Sequence, residues 1–233
     1  MGSHGGISKI SIGEYANRVV ETVDPGGLLF KSIDPDRLIG CIAYPAATIS
    51  KPGVIQHIEG NRFPVGELCG MKTERVQMVS DLFTESGFKS RILDDIRSEI
   101  WLKLWGNLTF NPISALSHST LVDICQFPLT RQLAATMMTE AQTVGERLGA
   151  HFRIPMEKRI AGAESVGKHK TSMLQDVEAG KPMEIESMLG AVIELAEVTG
   201  VQTPTLRAIY ACVSLLDKTL SQEKILIKGI SKE

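Results

Sequence analysis

Ile96-Arg97-Ser98-Glu99-Ile100-Trp101-Leu102-Lys103-Leu104-Trp105-Gly106-Asn107-Leu108-Thr109-Phe110-Asn111-Pro112-Ile113-Ser114-Ala115-Leu116-Ser117 carries apolar residues at nearly every helical position. The spacing predicts a long helix, and Pro112 predicts a kink or a split in it, because proline removes a backbone donor and crowds the preceding turn. Lys103, Asn107 and Asn111 recur every four residues. A helix therefore gathers one ammonium and two carboxamides into a single stripe. One polar stripe on a helix that is otherwise apolar all round suggests the wall of a cleft.

Downstream of this stretch the pattern stays helical. Helices are expected over about 129–148, stopped by Gly149, and over 156–165, 183–199 and 206–220. Pro182 is placed to open the third of these, and Gly200 to end it. Upstream, Thr73 could cap a helix running to Ser86, and Ser90–Leu93 reads as a short strand. Before residue 70 the character changes. Leu38–Tyr44 reads as a buried strand, closed by Pro45. Val54–Ile58 and Arg62–Gly66 flank Glu59-Gly60-Asn61, a pattern for a hairpin whose second arm, with Pro64, lies at an edge. Asp24-Pro25-Gly26-Gly27 and Asp34-Pro35 bracket a short helix. The fold class is thus mainly α, with a bundle-like helical domain over 71–233 and a few strands over 1–70.

Composition narrows the function classes. A net charge of −2 advertises neither nucleic acid nor an acidic membrane as partner. The four cysteines (Cys41, Cys69, Cys125, Cys212) form no CxxC, and the five histidines form no HxxxH, so no metal site is expected. Scattered thiols point to a reducing compartment. The N-terminus lacks the basic and apolar regions of a signal peptide, and no apolar run approaches a membrane span. A cytoplasmic protein is expected.

The stripe on 96–117 suits an oxyacid substrate. An ammonium can pair with a carboxylate or protonate a carbonyl oxygen, while carboxamides fix orientation by hydrogen bonds. A bland reading stands beside it: a solvated lysine, a buried asparagine satisfied by backbone, and an asparagine preceding a helix-breaking proline. A second grouping is Ser172-Met173-Leu174-Gln175-Asp176, followed by Lys181-Pro182-Met183-Glu184-Ile185-Glu186. Taken alone, Ser172, Asp176 and Glu184 read as helix-end residues.

Together the two groupings say more. Lys103-Leu104-x-x-Asn107 with Asn111-Pro112-x-Ser114-Ala115-Leu116, then Ser172-Met173-Leu174-Gln175-Asp176 with Glu184-Ile185-Glu186, resembles the ketopantoate reductase family in motif, order and separation. The resemblance runs from roughly residue 38 to 220. It implies a helical substrate domain like the C-terminal domain of 6-phosphogluconate dehydrogenase, preceded over 1–70 by part of a Rossmann-type dinucleotide-binding domain. It implies NADPH-dependent reduction of ketopantoate, or of a related 2-oxo acid, in pantothenate and coenzyme A synthesis. Lys103 would be the general acid, Asn107 and Asn111 would orient the substrate, and Ser172 would bind its carboxylate or hydroxyl end. Glu184 would contact the cofactor and order the lysine, and Ala46 would lie near the nicotinamide.

The departures from the family are specific. The sequence has no G-x-G-x-x-G, and its first 37 residues hold no strand–glycine loop–helix unit. The family's Asn-Gly loop is missing, and a further family asparagine falls near Thr120-Leu121. The competing expectation is a catalytically silent helical domain that dimerises or binds partners, since an unpaired apolar strand edge invites association.

Overall fold

The computed structural model describes residues 9–10, 15, 18–223 and 227. It resolves into two compact units. The first takes in Leu28–Ile100, and the second takes the described residues up to Gly27 together with those from Trp101 onward. The change of character near residue 70 therefore falls inside the first unit, where strands give way to helix. By content the protein is mainly α, as the sequence implies.

The chain enters with β1 (Lys9–Ile10) and β2 (Arg18–Val19), a two-residue antiparallel pair. The first unit opens on α1 (Leu28–Ser32), the short helix expected between the two Asp-Pro loops. There follow β3 (Ile39–Cys41), β4 (Ala46–Lys51), β5 (Val54–Glu59), β6 (Val65–Glu67) and α2 (Glu74–Glu85). Thr73 caps α2 as predicted, accepting from the Val76 N–H at 3.3 Å.

The expected hairpin is paired differently. Val54–Glu59 returns along Ala46–Lys51, with Ile49 opposite Ile55. Val65–Glu67 instead pairs antiparallel with Ile39–Cys41. The turn that decides this is Lys51-Pro52-Gly53-Val54, with proline second and a glycine at φ 78° third, the chemistry of a tight two-residue connection. Pro64 cannot donate, but its carbonyl accepts from the Ile42 N–H at 3.0 Å. The strand expected over 90–93 exists as a short parallel run: Val65 N–H donates to Arg91 at 3.0 Å, and Leu93 N–H donates to Val65 at 2.8 Å. Strand β3 is half-buried rather than buried; the deep residue is Ile42, which joins Leu93 and Ile96 in the unit's core.

Gly40 faces Gly66 across β3 and β6. A Cβ on Gly66 would lie 2.6 Å from the Leu93 carbonyl oxygen, and one on Gly40 would lie 2.6 Å from Ile96 Cγ1. This bare patch lets the start of α3 (Ile96–Ser117) sit directly on the strands. Asp95 opens the helix by accepting from the Ser98 N–H at 3.0 Å.

Helix α3 runs unbroken through Pro112, so the split does not occur. The residues around Pro112 are buried in the second unit, and their packing offsets the lost hydrogen bond. After α3 come α4 (Leu121–Gln126), α5 (Pro128–Arg147), α6 (Met156–Ser165), α7 (Ser172–Ala179), α8 (Ala191–Thr199) and α9 (Pro204–Glu223). Trp105 is fully buried; its Nε1 donates to the Met138 carbonyl on α5 at 2.7 Å. Glu140 on α5 accepts from the Thr205 and Leu206 N–H groups at 3.0 and 2.9 Å, capping α9. Glu194 on α8 accepts from the backbone N–H groups of Glu21 and Thr22 at 2.7 and 2.8 Å, which anchors the entering segment.

Pro182 does not open a helix. Gly180 ends α7 in the left-handed region at φ 65°. The Met183 N–H is taken by Asp217 at 3.0 Å, so residues 181–184 form a strap and helix resumes only at Ile185. It resumes as a π-helical turn over Glu186–Gly190 before settling into α8.

Candidate functional site

Lys103, Asn107 and Asn111 share one stripe of α3, as their spacing predicts. Lys103 and Asn107 are half-buried, whereas Asn111 is 6% exposed. The Asn111 Nδ2 donates to Ser172 Oγ at 3.4 Å and approaches Met188 Sδ at 3.9 Å. This contact joins the two sequence groupings directly.

Ser172 is the first residue of α7, and Thr171 performs the capping, accepting from the Leu174 N–H at 3.3 Å. The Ser172 hydroxyl is therefore not consumed as a cap. It sits exposed at the start of the helix, against Asn111. Asp176, one turn on, does not cap an end either. Burial pushes its carboxyl up, Lys181 pulls it back and Glu184 pushes it up again. Glu184 is exposed on the strap, close enough to act on Asp176.

Ala46 is the half-buried first residue of β4, paired with Glu59, and belongs to the first unit. The other five residues belong to the second. Of these, the structure joins Asn111 to Ser172 by a bond and carries Lys103 and Asn107 with Asn111 along α3; Glu184 stands on the strap after α7, where its charge pushes the Asp176 carboxyl up.

Met188 and its π-helical turn were not foreseen. Their one signal in the sequence is Gly190 inside an otherwise helical run; a Cβ there would lie 2.4 Å from Glu186 Oε2 and 2.7 Å from Thr22 Cγ2. The Tyr210 hydroxyl donates to Glu186 at 2.8 Å across to α9. No grouping of His, Cys, Asp and Glu among the described residues could hold a metal ion.

Residues 95–217 match the model of the family described as the C-terminal part of ketopantoate reductase, PanE/ApbA. That span exceeds half of the chain and contains both motifs. The chain belongs to the ketopantoate reductase family. It is 51% identical over 197 residues to a 2-dehydropantoate 2-reductase of Mesorhizobium japonicum, an alignment that covers 84% of this chain and 60% of the relative. A Ralstonia solanacearum protein assigned to the ketopantoate reductases superposes with a TM-score of 0.86 at 31% identity, covering 91% of this chain and 65% of that one. The 2-dehydropantoate 2-reductase of Methylococcus capsulatus gives 0.73 at 32% identity, covering 79% and 64%. The chain thus spans somewhat under two thirds of the length of the ketopantoate reductases it resembles.

Proposed function

We propose that this chain carries the substrate-binding and proton-donating part of an NADPH-dependent ketopantoate reductase. The observation that carries the reading is the Asn111–Ser172 bond, which ties α7 to the α3 stripe that bears Lys103 across 61 positions of sequence. Lys103 gives a proton to the ketone oxygen of ketopantoate as negative charge develops there, yielding the hydroxyl of pantoate. Its charge also stabilises the alkoxide-like transition state. Asn107 and Asn111 fix the substrate by their carboxamides, and Ser172 holds its carboxylate or hydroxyl end. Glu184 orders the lysine.

NADPH, when bound, supplies the hydride that no side chain can provide. By the family resemblance, Glu184 would contact the cofactor and Ala46 would lie near its nicotinamide end. The described residues do not fit the whole dinucleotide, because the sequence has no G-x-G-x-x-G loop to cradle the pyrophosphate. We read residues 1–70 as part of a dinucleotide-binding domain and 71–233 as the substrate domain. No described helix is long and apolar enough to cross a membrane, and the four cysteines are free thiols; both agree with a cytoplasmic setting. A second reading, in which the helices form a silent domain that dimerises or binds partners, is the alternative that the test must exclude.

A chimera decides between them. The part of the Mesorhizobium relative outside the alignment is joined to this chain, and NADPH oxidation is followed with ketopantoate. Substrate-dependent oxidation, reduced about a hundredfold or more by Lys103→Ala, is the expected result. A folded chimera without activity, or one indifferent to Lys103→Ala, contradicts the reading.

A further inference from the structure

We propose that Arg159 is a second recognition residue of this site, binding the carboxylate of the 2-oxo acid while Lys103 serves the ketone oxygen; this rests on the functional reading above. The first observation is Gly106. Glycine is unfavourable in a helix interior, yet it stands in the middle of α3, between Lys103 and Asn107. A Cβ there would lie 1.9 Å from Arg159 Nη2, 2.7 Å from Cζ and 3.1 Å from Nε. The guanidinium of Arg159, reaching over from α6, occupies the space that any other side chain would fill.

The second observation is where that places the charge around α3. Successive residues turn by roughly 100°, so Gly106 lies about 60° to one side of Lys103, while Asn107 and Asn111 lie to the other. Asn111 points to Ser172 on α7. Trp105, facing nearly away from the stripe, points to α5 through the Met138 carbonyl. The half-buried sector holding Lys103 and Asn107 is therefore flanked by Ser172 on one side and by Arg159, itself half-buried, on the other.

Chemistry assigns the roles. A 2-oxo acid presents a carboxylate next to the ketone. One ammonium cannot both neutralise the carboxylate and hand its proton to the neighbouring oxygen without compromising one task. A guanidinium matches a carboxylate with two parallel donors and does not give up its proton. With the carboxylate on Arg159, Ser172 is left for the hydroxyl end of the substrate.

The test is titration calorimetry of this chain with ketopantoate and with its uncharged 2-oxo amide, alongside thermal melting. Arg159→Gln is expected to weaken ketopantoate about tenfold and to leave the amide unchanged, with a cooperative melt showing that the variant is folded. Arg159→Lys should recover part of the loss, and Gly106→Ala, by displacing the guanidinium, should repeat it. If Lys103→Ala weakens ketopantoate but Arg159→Gln does not, Arg159 is excluded and the functional reading survives. Equal loss of both ligands in Arg159→Gln would make the guanidinium structural and overturn the inference. Absence of ketopantoate binding by the folded wild-type chain would overturn both.

Discussion

Asn111 and Asp176 are two polar side chains that the fold holds at a disadvantage. Asn111 is buried, and its carboxamide makes a 3.4 Å bond to Ser172 and a 3.9 Å approach to Met188 sulfur. Both are weak, so Asn111→Leu should alter the melting temperature little, since replacing a buried amide by an apolar group of similar size costs under about 1.5 kcal/mol. The same variant should lose ketopantoate affinity by about tenfold in a titration, because the carboxamide is retained for the ligand. Asp176 ionises less readily in the folded chain, chiefly through burial, than in the unfolded chain, where an aspartate titrates near 3.9. Its folded pKa is the higher of the two, so stability is unimpaired below the unfolded value, falls as pH rises through the folded value and stays reduced at neutral pH. Asp176→Asn should therefore raise the melting temperature at pH 7, with the gain vanishing near pH 3. Lys103, Asn107 and Asn111 were legible because helical period is written in spacing. Ser172, taken alone, reads as a helix-end residue, and it does begin α7; the cap itself falls one residue earlier, on Thr171, an offset that spacing does not fix. Arg159 gave no signal of its own.

Among the elements, the long helices and the strand positions were legible, but α4 and the pairing of the strands were not. α3 and α6 have the predicted bounds, Ile96–Ser117 and Met156–Ser165, because apolar periodicity is a local property. Strand pairing is not local. The sequence offered two adjacent arms around Glu59-Gly60-Asn61, but the chain chose the Pro52-Gly53 turn and sent Val65–Glu67 back to Ile39–Cys41. Likewise, Pro182 looked like a helix start until Asp217, 34 residues away along the chain, claimed the N–H next to it. Long-range side-chain capping of this kind recurs at α9, whose first N–H groups are satisfied by Glu140. Glu140→Ala should destabilise the second unit by about 1–2 kcal/mol in chemical denaturation, the usual worth of a charged cap at a helix N-terminus. An unchanged midpoint would show that water replaces the carboxylate without loss.

At the scale of the molecule, the residues proposed to bind substrate, Lys103, Asn107, Asn111 and Ser172, lie in the second unit, and Ala46, proposed to lie near the nicotinamide, lies in the first. The chain covers 60% of its Mesorhizobium relative, and its sequence has no glycine loop for a pyrophosphate. NADPH fluorescence titration of this chain should accordingly show no tight binding, with any dissociation constant above about a millimolar. Saturable binding at micromolar concentration would mean that other residues of the chain hold the phosphates. The most direct test of the substrate site is two-dimensional NMR of the isotopically labelled chain titrated with ketopantoate. Saturable shifts centred on Lys103, Asn107, Asn111 and Ser172 are predicted. A folded chain whose spectrum does not move, or moves only at other residues, would contradict the account.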